Sequence, residues 1–268
     1  MFFGTCVNWR DTVTHALYAQ AHASLNSAIA PLATSVRMKA SAITVEDWGK
    51  LAQQWRNSYK EFTKSLATDP TLPWKTVDDH PLEAPKKLLA DDQWRLEGLW
   101  TDDKVREVSL IRHRLVPWPD SSPGIKALNK LFCTVTLGNG NLSLLGDLKN
   151  HGAMDFMHIF SAELFGSYKP SPKVYLGAVE KLSLKPHECA MVAAHLGDLK
   201  AAKSLDIQAI YVERALEDDW DEEAVEKARS EGWVDLWVPL GEEGFVTVAE
   251  KLGIDVSTNV RTKHSLSG

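Results

Sequence analysis

After Pro117-Trp118-Pro119 the chain alternates short apolar runs with helical segments, and this alternation most constrains its fold. The runs are Leu131 to Leu137, His158 to Phe160, Cys189 to Ala194, Ile207 to Val212 and Leu236 to Val238. They are apolar throughout rather than at every second position, and each ends in Gly or polar residues. Strands of this kind are buried on both faces, as in a parallel sheet whose crossover helices cover it. Ligands of such sheets sit just beyond the carboxyl ends of the strands. The last residue of each run therefore points to the functional residues.

The first hundred residues have a different texture. Asp11 to about Ala30 suits a helix through His15, Ala16, Ala19, Ala23 and Ile29. Ser41 to Leu66 suits another, with Thr44 as N-cap and Asp47 three residues on, a variant of the capping box. Leu51, Trp55, Tyr59 and Phe62 then recur on one face. Pro70, Pro73, Pro81 and Pro85 argue for helix–loop–helix over 70–95 instead of one rod. No convincing strand falls in this part. The polar tail from Ser257 has no core pattern and is expected to be disordered.

Four strings lie at the expected strand ends. Phe3-Gly4-Thr5 precedes the first helix, and its glycine permits a tight turn. Leu137-Gly138-Asn139-Gly140-Asn141 closes a strand with two glycines, which let backbone approach a ligand, and an amide donor. Tyr168-Lys169-Pro170-Ser171-Pro172 holds a lysine in extended backbone, because the proline after it disfavours helix. Val192-Ala193-Ala194-His195-Leu196-Gly197-Asp198 delivers a histidine and a carboxylate to the start of a helix. Taken singly, these strings fit a turn, a Gly-Asn loop, a surface lysine and a helix cap. Their shared placement and order favour one site.

These strings, with Gln54-Trp55-Arg56, Pro119-Asp120-Ser121-Ser122-Pro123-Gly124 and Lys173-Val174-Tyr175, resemble the type II (L-2-haloacid) dehalogenase branch of the haloacid dehalogenase (HAD) superfamily. The resemblance runs from Phe2 to about Gly253. It implies an α/β fold: a HAD-like, Rossmannoid core with a parallel sheet, interrupted by an all-helical cap. The core would comprise residues 1–10 and 114–256, the cap 11–113 and the tail 257–268. It also implies hydrolytic dehalogenation of short 2-haloalkanoic acids. An aspartate displaces halide to form an ester, which water then hydrolyses. On this resemblance Lys169 keeps the nucleophile ionised, and Asp198 orients Lys169 and the water. Arg56 reaches in from the cap towards the carboxylate or the leaving halide. Asn139 and nearby backbone bind the carboxylate, Phe3 and Tyr175 wall the pocket, and Thr5 and His195 add polar groups.

The chain departs from that pattern twice. The nucleophile belongs two residues before Phe3, and Met1 stands there. A thioether cannot form the ester, so the chain as written is expected to be inactive. A start set too far downstream is favoured over true loss, since trimming a central strand leaves neighbouring backbone groups without partners. Gly138 stands where relatives usually carry Ser, which removes one hydroxyl from the anion site.

Two alternatives remain. A magnesium-dependent HAD phosphatase needs an acid at the Phe3 position and finds none. A non-catalytic relative that binds a small carboxylate would keep Arg56, Lys169 and Asp198 without turnover.

Composition excludes some partners. With 30 basic against 36 acidic residues and no basic block, a general nucleic-acid binder is disfavoured. No apolar stretch reaches the roughly 18 residues of a membrane span. Cys6, Cys133 and Cys189 fall in apolar runs and suit buried thiols of a reducing compartment, in keeping with a cytoplasmic protein. No metal or other cofactor is expected, and a homodimer is expected from the resemblance.

Overall fold

The computed structural model describes residues 2–28, 31–69 and 83–256. Met1, Pro70, Pro73, Pro81 and the tail from Ser257 lie outside the described residues.

The amino-terminal part is helical as expected: α1 (Trp9–Asn26), α2 (Thr34–Ala42), α3 (Val45–Thr68), α4 (Glu83–Ala90) and α5 (Asp102–Ser109). Thr44 caps α3 as a full capping box, its side chain accepting from the Asp47 N–H while Asp47 reaches back to the Thr44 N–H. Trp48, Leu51 and Trp55 of α3 are buried, as are Val13 and Leu17 of α1. Trp48 stacks on Trp100 with ring centroids 5.8 Å apart. The apolar stripe read from the sequence is thus the seam of a helical cap.

The rest alternates helices and strands: α6 (Ser121–Leu128), β1 (Val135–Gly138), α7 (Leu142–His151), β2 (His158–Ser161), α8 (Pro172–Lys181) and β3 (Ala190–Ala193). There follow α9 (Leu196–Lys203), β4 (Gln208–Val212), α10 (Glu222–Glu231), β5 (Leu236–Val238) and α11 (Gly244–Lys251). All five expected strands are present, and every pairing is parallel. Continuous apolar runs therefore did mark a sheet buried between helices.

The sheet differs from a single expected unit. It is in two pieces, β1-β2 and β3-β4-β5. Between them lies a cavity of about 480 Å³, with Val135 and Leu137 of β1 and Ala190, Met191 and Val192 of β3 among its walls. No strand among the described residues pairs with β1 and β3 together; near this gap Val7 makes only isolated bridges, to Phe3 and to Pro117.

Two local expectations need correction. The run from Leu131 enters β1 only at Val135, and Leu131 and Phe132 remain exposed in the preceding turn. Of the three free thiols only Cys6 is buried; Cys133 lies in that same turn and is exposed, and Cys189 is partly buried just before β3. Burial drives the Cys6 thiol up to about 11, so it is a packed, protonated group. No helix among the described residues is long and apolar enough to cross a membrane.

Candidate active site

The strand ends converge on a cavity of about 490 Å³ whose walls include Phe3, Arg56, Asn139, Lys169, His195 and Asp198. Six of the eight residues singled out from the sequence therefore share one space. Phe3 and Thr5 belong to the turn that opens the chain. Gly4 there has φ +75°, and a Cβ on it would lie 2.0 Å from Glu217 Oε2. Only glycine fits that turn without strain. Thr5 does not face the cavity: it is buried, and its hydroxyl accepts from the N–H of Ala194 at 2.9 Å. It fixes the loop that carries His195.

Lys169 lies in the loop between β2 and α8. Its Nζ donates to Asp198 Oδ2 at 2.6 Å, and the two side chains are 2% and 8% exposed. Tyr175 donates its hydroxyl to the other oxygen, Asp198 Oδ1, at 2.6 Å. Burial alone would raise the Asp198 carboxyl. The charge of Lys169 leads the effects that oppose burial, the hydrogen bonds from Lys169 and Tyr175 add to it, and the carboxyl lies below the usual carboxylate range. Tyr175 is pushed up, first by burial and then by the Asp198 charge, and stays a donor.

Tyr175 departs from its expected place. It is not among the walls of this cavity but faces the one between β1 and β3. Its ring is buried, and its hydroxyl reaches Asp198 from α8. Asn139 is also more committed than expected. Its Oδ1 accepts from the Lys169 N–H at 2.8 Å, and its Nδ2 donates to the Lys169 carbonyl at 3.2 Å. The amide braces the lysine loop. Gly138 sits close to the core: a Cβ there would meet Leu145 Cδ2 at 3.2 Å, so a serine requires the leucine to give by a few tenths of an ångström.

Arg56 enters from α3. Its Nη1 donates to Glu217 Oε2 at 2.7 Å, its Nη2 lies 3.0 Å from His195 Nε2, and its guanidinium covers the ring of Trp9 at 4.3 Å. Burial lowers the Arg56 pKa, and the opposing Glu217 and Asp219 charges recover only part of that. Glu217, Asp218 and Asp219 are functional candidates that the motif search missed. They lie in the loop after β4, so the rule that sites gather at strand ends applied to them as well. Arg10 donates to Gln53 and to the Leu216 carbonyl, tying this loop to the cap. Among the described residues no group of three or more His, Cys, Asp or Glu side chains is gathered as a metal site requires.

A family profile described as haloacid dehalogenase-like hydrolase matches residues 2–206. The chain belongs to that family. Among its relatives, (S)-2-haloacid dehalogenase 1 of Pseudomonas sp. (strain CBS-3) is 29% identical over 107 residues, 38% of this chain and 46% of the relative. (S)-2-haloacid dehalogenase 4A of Burkholderia cepacia is 24% identical over 169 residues, 61% of this chain and 70% of the relative. The chain thus matches under half the length of the first relative and over two thirds of the second. A crystal structure of an L-2-haloacid dehalogenase superposes with TM-score 0.70 at 27% identity, covering 93% of this chain and 96% of that one. The haloacid dehalogenase-like family reading and the Rossmann-like core with a helical cap are thereby established for this chain.

Proposed function

We propose that this site is built for hydrolytic dehalogenation of a short 2-haloalkanoic acid through an aspartyl ester. The reading is carried by the buried Lys169–Asp198–Tyr175 group, which lies beside the Phe3 turn on a cavity large enough for a small acid. In a chain carrying aspartate where Met1 stands, that carboxylate oxygen would attack the halogen-bearing carbon. The C–O bond forms, the C–halogen bond breaks, and halide leaves with the bonding pair. Water then adds to the ester carbonyl, releasing a 2-hydroxy acid and a proton and regenerating the carboxylate.

Lys169 supplies the positive charge that keeps such a nucleophile ionised. Asp198, ionised and held on both oxygens, orients Lys169 and the hydrolytic water. Arg56 faces the charge of the substrate or the departing halide. Asn139 keeps the lysine loop in place. Thr5 and Tyr175 hold the loops from outside the cavity, and His195 lines it beside Arg56.

In the sequence Met1 stands two residues before Phe3, where the resemblance calls for the nucleophile, and a thioether offers no carboxylate. By this route the chain in this form does not turn over. That same observation favours a second reading, a non-catalytic relative that binds a small carboxylate.

Met1→Asp, carried on an added amino-terminal apolar segment of five or six residues, separates the two. With (S)-2-chloropropionate the variant should release chloride and a 2-hydroxy acid in equal amounts, while the unaltered chain releases none above background. A folded variant that releases no halide from chloro- or bromopropionate supports the non-catalytic reading and removes the hydrolase.

A further inference from the structure

The dehalogenation scheme leaves one buried acid in the site unused. Glu217 has a side chain only 1% exposed, yet it meets both Arg56 and His195. Arg56 can only donate, so the His195 Nε2 that its Nη2 approaches at 3.0 Å must accept. The ring proton then resides on Nδ1. That atom is buried and has no hydrogen-bond partner among the described residues, on a side chain 6% exposed that borders the main cavity. Glu217 thus already answers the Arg56 guanidinium, with Asp219 as a further negative charge on it and Arg10 as a further cation near Glu217, and the His195 Nδ1 has no hydrogen-bond partner among the described residues. The arrangement has an unfilled place for an acceptor atom and a filled place for a negative charge.

We propose that Glu217 is a specificity-determining residue. It is a resident counter-charge on Arg56 that weakens capture of any anion there and excludes ligands with two negative charges in favour of small monocarboxylates. The proposal rests on reading the Arg56 side of the cavity as the ligand site. Glu217 acts through Arg56, and three features hold it in place. Gly4 leaves it room, since any side chain at that position would collide with Oε2. Arg10 clasps the preceding Leu216 carbonyl. Trp9 closes one face of the Arg56 guanidinium, so the arginine cannot swing freely to a second partner. At such short range within protein, removing one of two like charges shifts anion binding by about tenfold or more.

The test is a calorimetric titration of the full chain with 2-chloropropionate and with 2-chlorosuccinate, which carry one and two carboxylates on similar bodies. The unaltered chain should bind the monocarboxylate about tenfold more tightly. Glu217→Gln keeps an oxygen that accepts from Arg56; it should tighten both ligands and narrow the gap between them. The gain should vanish in the double variant Arg56→Gln, Glu217→Gln. Equal affinity of the unaltered chain for both acids overturns the proposal without any variant. So does a Glu217→Gln protein of unchanged melting temperature whose affinities do not rise, or a gain that survives loss of Arg56. Halide release by the Asp-bearing chain is a separate readout. Release with affinities indifferent to Glu217 sinks only this proposal, and no release with the expected affinity shift sinks only the hydrolase.

Discussion

Two buried ion pairs face the same cavity and are assembled from opposite parts of the molecule. Lys169–Asp198 joins two strand-end loops of the core, and every partner in it lies within that unit, 23 to 30 positions away: Asn139 braces the lysine backbone, and Tyr175 holds the second carboxylate oxygen. Arg56–Glu217 instead joins a cap helix to a core loop, with His195 as a third member and Trp9 as a floor. The first pair depends on the core alone, whereas the second depends on how the cap is seated. The comparison assigns them different duties. One is a fixed charge for chemistry, and the other is a contact at which ligand and cap positions can be sensed.

Breaking the core pair should have the largest effect. Lys169→Met alone leaves Asp198 ionised, buried and without its cation, at a cost of about 3–5 kcal/mol. The double change Lys169→Met, Asp198→Leu should cost less than either single change, because no charge is then stranded. Urea unfolding measures both. If Lys169→Met is no worse than Arg56→Met, which removes the pair between cap helix and core loop, the ranking of the two regions is wrong.

Acid should weaken the core pair through Asp198. The folded Asp198 carboxyl lies below its ordinary value of 3.8. A depressed carboxyl contributes stability that is complete above its unfolded value and is lost as pH falls through the folded one. Stability from this pair should therefore be flat from about pH 5 to 8 and decline only below about pH 4. Asp198→Asn should remove that acid-side decline.

Gly4→Ala strikes the second pair without changing either charge. The backbone at φ +75° costs a side-chain-bearing residue about 1–2 kcal/mol, and the added methyl must also displace Glu217 from its present position. The expected signature is selective. Tryptophan fluorescence at Trp9 should change as Arg56 shifts, while the pH profile attributed to Asp198 should not. A variant with unaltered Trp9 emission and unaltered ligand affinity would show that Glu217 has more room than the turn allows.

The same contrast explains what could be read from the sequence. Strand runs, their order and the loops after β1, β2 and β3 obey local rules: apolar continuity, glycine at close approaches, proline around Lys169. Those rules located Asn139, Lys169, His195 and Asp198. The cap helix α3 and its Thr44 cap were legible for the same reason. Glu217 was not, because its partner is 161 positions away and no local pattern announces a long-range ion pair. The place of Tyr175 also escaped. The resemblance put it on the pocket wall, but which cavity its ring faces depends on how α8 packs. The two-piece sheet escaped too, since the runs predict strands one at a time and not which edges find partners.

The smallest expected effect concerns a pair that links the same cap helix and the same loop but lies near water. Lys60 reaches Asp219 with side chains 30% and 65% exposed. Burial raises the Asp219 carboxyl, but the hydrogen bond and charge of Lys60 more than compensate, leaving it below its usual value. Solvent screens most of this attraction, so Lys60→Ala should cost under about 1 kcal/mol. Raising salt to about 1 M shortens the screening length to about 3 Å and should erase the difference between Lys60→Ala and the unaltered chain. The same salt should leave the cost of Arg56→Met nearly unchanged, because water is excluded from that pair. If both costs fell together with salt, the Arg56–Glu217 contact would be as wet as its neighbour, and the cap would not be sealed over the loop in the way the buried Glu217 requires.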